Sequence, residues 1–233
     1  MTPAISSTLR GISSMATRVL LAELAEAYAA SGGGRLELES VGGVDAARRV
    51  RSDEAWDLVF LAADAVDGLL ADGYLLPGSR VDLARSGVAV AVAAGAALPD
   101  IRTEDALRAA VLAAPSVSYS TGPSGVAFAK LLARWGITEA LQGRLVQAPA
   151  GVPVGTLVAR GEVALGFQQR SELLHLPGIQ IVGPLPDAVQ ITTVFSAGIG
   201  VACTDVPAAQ ALLAYMTSRE ADAAKLRQGM EPA

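Results

Sequence analysis

The sequence predicts an α/β fold built as two lobes, and three observations carry that expectation. Strand and helix patterns alternate along most of the chain, which implies parallel sheets covered by helices. Two β runs, Ser79–Ala94 and Gln190–Cys203, are too long for one ordinary strand. They read as a passage out to a second lobe and a passage back. Two short, uncharged, Ser/Gly-rich loops, Gly11–Thr17 and Tyr119–Val126, lie far apart in the chain, each between a strand and a helix. Residues 1–84 plus 192–233 are expected to form lobe 1, and residues 85–191 lobe 2.

The elements follow in order. Thr8–Ile12 reads as a first strand and Thr17–Ala30 as a helix, with Leu20, Leu24 and Ala27 on one face. Ser31-Gly32-Gly33-Gly34 ends that helix. Arg35–Ser40 alternates as a strand, Val41–Val44 is a loop and Asp45–Arg51 a short helix. Asp57–Leu61 is a buried strand, after which Asp64 caps a helix that Gly73 terminates. Beyond the first long β run, Thr103 opens a helix with Glu104 and Asp105 in its first turn, where the helix dipole favours acids. Val117–Ser120 is a strand, Gly125–Trp135 a helix, Arg144–Gln147 a strand, Val154–Arg160 a helix and Glu162–Gln168 a strand. Ile179–Val182 precedes the second long run. The chain closes in helices, Val206–Met216 and Ala221–Gln228, with capping-box spacing at Thr217–Glu220.

Composition excludes several classes. The 233 residues are 52% hydrophobic and 18% charged, enough apolar material for a real core. Net charge is −5, and the longest basic run is Arg48-Arg49-Val50-Arg51, so no nucleic-acid partner is expected. With one cysteine, Cys203, neither an internal disulfide nor a cysteine metal site is possible, and the residue reads as a small buried hydrophobe. The longest uncharged apolar stretch, Gly87–Leu98, is short of the ~18 residues of a membrane span. The start of the chain lacks the pattern of an export signal. As written the chain is expected in the cytoplasm, and in the periplasm if such a signal has been removed. A monomer is expected.

The loops carry the chemistry. A helix N-terminus offers N–H groups and partial positive charge, so hydroxyls placed there make a receptor for an anion with no Lys or Arg. Ligands of open α/β sheets sit at the C-terminal ends of strands. The segments expected there, Ile12–Ala16, Val41–Val44, Ser120–Val126, Ala148–Val154 and Gln168–Gln169, contain Ser, Thr, Gly and Gln but no charged residue. The bland alternative is that Ser13, Ser14, Thr121 and Ser124 merely cap their own helices. Enzyme motifs are missing: no P-loop, no dinucleotide fingerprint, no nucleophile elbow and no metal-ligand spacing. His175 is the lone histidine and reads as a rim residue. Tyr119 and Trp135 read as core, and Arg18 as a surface residue within reach of an anion. No metal and no cofactor are expected.

These residues resemble the type II solute-binding proteins of ABC transporters, specifically the molybdate-binding-protein-like family. The likeness rests on Ser13-Ser14, Ala55–Val66, Gly73-Tyr74, Ser79–Val90, Tyr119–Lys130, Val158–Glu162, Gly166–Gln169 and Gly229–Pro232, and it spans nearly the whole chain. It implies a two-lobed periplasmic-binding-protein-like fold with two crossing strands at the hinge. It also implies an oxyanion or carboxylate held between the lobes. Carried over residue by residue, the ligand contacts are Ser13 and Ser14, Gly43 in the Val41–Val44 loop, Thr121, Ser124, Gly125 and Val126, then Val152, Pro153 and Val154, then Gln168. Gly42-Gly43 stand where the family pattern has Ser, and Gln168-Gln169 where it has Tyr, which speaks against molybdate itself. The resemblance implies a small anionic ligand, and a membrane component of an ABC transporter as partner if the chain is exported. The broad family also includes aconitate isomerase, so binding of a small anion is the leading expectation and isomerisation of an aconitate-like tricarboxylic acid the alternative. The residues leave receptor and enzyme open, because no proton carrier is evident.

Overall fold

The structure, a computed structural model, describes residues 8–52 and 54–233. Residues 1–7 and Asp53, which the sequence assigns to lobe 1, lie outside the described residues. The chain divides into two compact units. One comprises residues up to Arg85 together with Val194–Ala233, the other Ser86–Thr193.

In the first unit, β1 (Thr8–Ser14) pairs in parallel with both β2 (Arg35–Val41) and β3 (Leu58–Ala62). Between them run α1 (Arg18–Ala30) and α2 (Gly43–Arg51), and α3 (Ala63–Ala71) follows β3 directly. This is the parallel layout that strand–helix alternation demands. One strand departs from it: β9 (Thr192–Ile199) lies antiparallel to β3, with Leu58 opposite Ile199 and Ala62 opposite Phe195. Side-chain alternation then makes two cores. Leu58 and Phe60 point into a cluster with Leu20, Leu24, Leu212 and Met216, while Val59 and Leu61 point into another with Val50, Trp56 and Leu69. The last helices, α8 (Val206–Thr217) and α9 (Asp222–Arg227), also belong to this unit, and β10 (Glu231–Pro232) pairs with the start of β4 (Val81–Ala93).

In the second unit, α4 (Glu104–Ala113) precedes β5 (Val117–Tyr119), and α5 (Pro123–Arg134) follows it. Then come β6 (Leu145–Gln147), α6 (Val154–Ala159), β7 (Leu165–Gln169), α7 (Arg170–Leu173) and β8 (Ile179–Pro184). β5 is parallel to β6 and β7, and the second half of β4 runs antiparallel to β7 and β8. Val88, Val90 and Val92 of β4 face a core holding Phe128 and Phe167, whose rings stack 4.0 Å apart. Ala89 and Ala91 face the other way, against Leu173.

Several local expectations need correction. β1 continues through Ser13 and Ser14, and the turn that follows is a single 3-10 segment, Met15–Thr17. The second long β run shrinks to Thr192–Ile199, because Gly200–Cys203 turn away before α8. Asp64 sits inside the first turn of α3 rather than at its cap, accepting only from the N–H of Ala65 at 3.0 Å. Thr217 ends α8 with its hydroxyl donating back to the Leu213 carbonyl at 2.9 Å, and Ser218 occupies the cap position of the following 3-10 turn without a side-chain bond, so no capping box forms. Thr103 does cap α4, accepting from the Ala106 N–H at 3.1 Å. Cys203 is half-buried, and desolvation pushes its thiol pKa up, the direction of an unreactive thiol. Tyr119 and Trp135 pack half-buried against the second unit's core, and the Trp135 indole donates to Glu104.

Candidate functional site

In the first unit the C-terminal ends of β1, β2 and β3 lie on one edge of the sheet, since Ser14 is level with Val41 and Ser13 with Phe60. Ser13 is fully buried. Its hydroxyl lies 2.7 Å from that of Ser40 and donates to the Ser14 carbonyl at 3.2 Å. Ser14 is nearly buried, and its hydroxyl sits 3.4 Å from the Thr17 hydroxyl. Although Ser14 stands at the cap position of the 3-10 turn, its side chain bonds no helix N–H, and neither does the side chain of Thr17 at the start of α1. Gly43, the first residue of α2, approaches the same spot: a Cβ there would lie 3.6 Å from that of Ser14. Ser13, Ser14 and Gly43 are therefore brought together.

The second unit repeats the arrangement with other residues. Tyr119 is level with Gln147 and Phe167, so β5, β6 and β7 also end on one sheet edge. Gly122 caps α5 by backbone geometry alone, with Pro123 as first residue, and leaves the hydroxyls of Ser120 and Ser124 on each other at 3.2 Å. Ser124 and Gly125 are buried; Thr121 and Val126 are exposed. Three of the expected backbone donors are already engaged, the Gly125 N–H bonding the Gly122 carbonyl at 3.0 Å. The Val126 N–H bonds the Gly122 carbonyl at 3.1 Å as the helix ladder requires, and the Val152 N–H closes a turn onto Pro149 at 3.0 Å. Pro153 has no N–H to offer and stands at the cap of α6, while the Val154 side chain is buried in the core.

Gly166 explains how β7 and α6 meet. A Cβ there would lie 2.7 Å from Val158 and 2.9 Å from Val154, so only glycine lets the helix settle so close. That packing brings Gln168 within reach of α6, where its Oε1 accepts from the Gly155 N–H at 3.4 Å. Gln169, on the opposite face, donates from Nε2 to the Thr193 hydroxyl at 2.6 Å, and its Oε1 is buried with no partner among the described residues. A group that the sequence reading passed over stands three residues further on. Glu172 is half-buried and bonded to the Gln168 side chain, and desolvation raises its pKa to about 7. The available signal was its place just past the C-terminal end of β7.

Charge near these edges is sparse. Arg18 and Arg170 are exposed at the first positions of α1 and α7, with no acidic partner among the described residues. His175 is exposed. Other arginines are tied up elsewhere: Arg49 bridges Glu39 and Glu54, and Arg102 holds Asp100 well below the usual carboxylate range. No group of three or more His, Cys, Asp and Glu among the described residues is placed to hold a metal ion, and no helix among them is long and apolar enough to cross a membrane.

Comparison with known proteins agrees with this architecture. The chain is 38% identical over 232 residues to aconitate isomerase from a Pseudomonas species, covering 97% of this chain and 88% of that protein. Among solved structures, the periplasmic molybdate-binding protein of Azotobacter vinelandii superposes with a TM-score of 0.79 at 22% identity, covering 95% of this chain and 98% of that one. The substrate-binding protein of an ABC transporter from Agrobacterium tumefaciens gives a TM-score of 0.72 at 15% identity, covering 95% and 78%. At such identities the likeness concerns the fold, which is that of the two-lobed type II periplasmic binding proteins. The family model of the bacterial extracellular solute-binding proteins matches residues 9–231, and the chain belongs to that family.

Proposed function

We propose that this protein binds a small organic polycarboxylate, with donors supplied by its helix openings. The candidate donors are Ser13, Ser14 and Gly43 in the first unit, and Ser124, the Val154 N–H at the start of α6 and Gln168 in the second. The observation that carries this reading is that the hydroxyls at both openings are buried yet take no part in capping. Neutral donors beside a helix N-terminus hold an anion without a buried countercharge. Arg18 and Arg170 add the positive charge that a di- or trivalent anion calls for. The likeness to aconitate isomerase favours a tricarboxylate over a tetrahedral oxyanion. Gly42-Gly43 and Gln168-Gln169, standing where the molybdate-binding pattern has Ser and Tyr, favour it too.

The test is thermal unfolding with trans-aconitate, cis-aconitate, citrate, molybdate and sulfate. A saturating shift is expected with a tricarboxylate, since a ligand that binds only the folded state stabilises it by mass action. A shift with molybdate alone would overturn the choice of ligand class.

A second reading, isomerisation of an aconitate-like acid, is favoured by the 38% identity and by the perturbed carboxyl of Glu172. Proton NMR of cis- and trans-aconitate with the protein separates it from pure binding. In an exported form the protein would deliver its ligand to the membrane component of an ABC transporter, a reading supported by the family it belongs to.

A further inference from the structure

Other carboxylates with displaced pKa values are lowered: Glu39 and Glu54 by Arg49 and Asp100 by Arg102, all exposed, and half-buried Glu104 by the Trp135 indole and Arg134. Glu172 is different in kind. It is the third residue of α7, which starts immediately after the last residue of β7, so it stands at the strand end where ligands of such sheets are bound. The Gln168 side chain bonds its carboxyl and reaches back to the Gly155 N–H at 3.4 Å. Gly155 in turn lies directly behind the Val152–Val154 turn. A Cβ on Gly155 would strike Leu173 at 3.0 Å and Leu176 at 2.6 Å, so α6 and the Glu172 segment are locked together. No charged residue occurs in α6, β7, β8 or the Ser86–Ala93 half of β4. On its own segment the charged and titratable groups are Arg170 and His175, both exposed. An apolar setting with a single amide partner keeps a carboxyl able to exist in both protonation states near neutrality.

We infer that Glu172 is the proton carrier of the isomerase reading, on which this assignment rests. As carboxylate it takes a proton from the CH2 carbon next to the double bond of an aconitate-type acid. The C–H electron pair becomes a new C=C bond to the central carbon, and the old double bond's pair is delocalised onto the former vinylic carbon and its carboxylate. Glu172, now a carboxylic acid, returns the proton to that vinylic carbon. The double bond has moved by one carbon, cis and trans forms have exchanged, and no electron has been gained or lost overall. Bound carboxylates stabilise the intermediate anion through the hydroxyl and arginine donors described above.

The experiment follows cis- and trans-aconitate by proton NMR in deuterated buffer, with wild-type protein, Glu172→Gln and Glu172→Asp. Wild type is expected to interconvert the two acids. Glu172→Gln is expected to lose at least a hundredfold in kcat while keeping the trans-aconitate thermal shift, which also verifies that it folds. Glu172→Asp should retain part of the rate. Wild-type kcat/KM should rise through about pH 7, and this inflection should move in Glu172→Asp. Turnover by wild type that Glu172→Gln preserves would overturn the assignment and leave the isomerase reading standing. No turnover by wild type, with aconitate still bound, would overturn both and leave a binding protein.

Discussion

Gly125 lies so close to the carbonyl oxygen of Ser120 that a Cβ at this position would sit 1.8 Å from it. The backbone of the loop has folded onto the first turn of α5, and only the missing side chain permits it. Gly125→Ala is therefore expected to lose about 2–4 kcal/mol of stability, because the obstacle is main chain and cannot swing aside. Urea unfolding of the variant measures this; a loss below 1 kcal/mol, by contrast, would mean the loop relaxes freely.

Ser14 ends β1 in the first unit, and Ser124 lies in the first turn of α5 in the second. Each is buried, and each offers its hydroxyl to another hydroxyl rather than to a helix N–H. Ser14→Ala and Ser124→Ala should each weaken binding of the tricarboxylate by about 1–3 kcal/mol, the range for a hydrogen bond to a charged group. Titration calorimetry on both variants measures it, and unchanged affinity in both would remove these residues from the site. Melting temperatures without ligand should stay near wild type, because no cap is lost.

Glu172 gives the protein a pH signature of its own. Its pKa rises from an ordinary 4.5 to about 7 on folding, so between these values the native state holds a proton that the unfolded chain has released. The stability linked to that proton is fully present below about pH 4.5 and lost as pH rises through about 7, amounting to about 1–3 kcal/mol. Glu172→Gln, being neutral throughout, should be more stable than wild type at pH 8 and close to it at pH 4.5. Urea melts of the pair at those two pH values test the sign, and a variant equally destabilised at both would contradict it.

Phe128 and Phe167 tie α5 to β7 in the core of the second unit, both nearly inaccessible to solvent. Phe128→Ala should destabilise by about 3–5 kcal/mol through lost burial and the cavity it leaves. Near-ultraviolet circular dichroism should report the loss of the stacked pair, and an unchanged spectrum would argue that the neighbours have refilled the space.

Much of this fold was legible in the residues. Apolar runs such as Leu58–Ala62 could only be buried strands, and Thr103 before Glu104-Asp105 could only start a helix. The end of β1 was harder, because Ser13 and Ser14 look like loop residues and stay in the strand through their ladder with β2. The extent of β9 was misjudged because Gly200–Cys203 are as apolar as the strand. Gly200 still donates to the Asp57 carbonyl at 2.9 Å, and a Cβ on it would lie 2.0 Å from the Trp56 carbonyl, so the chain leaves the sheet at a position only glycine fits. Among the candidate site residues, the loop hydroxyls and Gln168 stand out in the sequence by their places at the C-terminal ends of strands. Glu172 does not, because its character depends on which side chains surround it, and that is tertiary information.

The chain passes between its two units inside β4, at Arg85–Ser86, and inside β9, before Val194. Synthesis on the ribosome therefore delivers the parts out of order. The second unit is one continuous stretch and emerges whole, free to fold as soon as it is clear. The first unit has by then waited with β3 lacking its neighbour, because β9 pairs with it from roughly a hundred and thirty residues downstream. Until then five buried, mostly bulky apolar residues, Leu58–Ala62, offer an open strand edge to any other chain nearby. A chain cut after Thr193 would carry every residue of the second unit but only the β1–β3 part of the first, still adhesive and half-built. Holdase chaperones would be needed most in that interval, and growth temperature would limit yield there first.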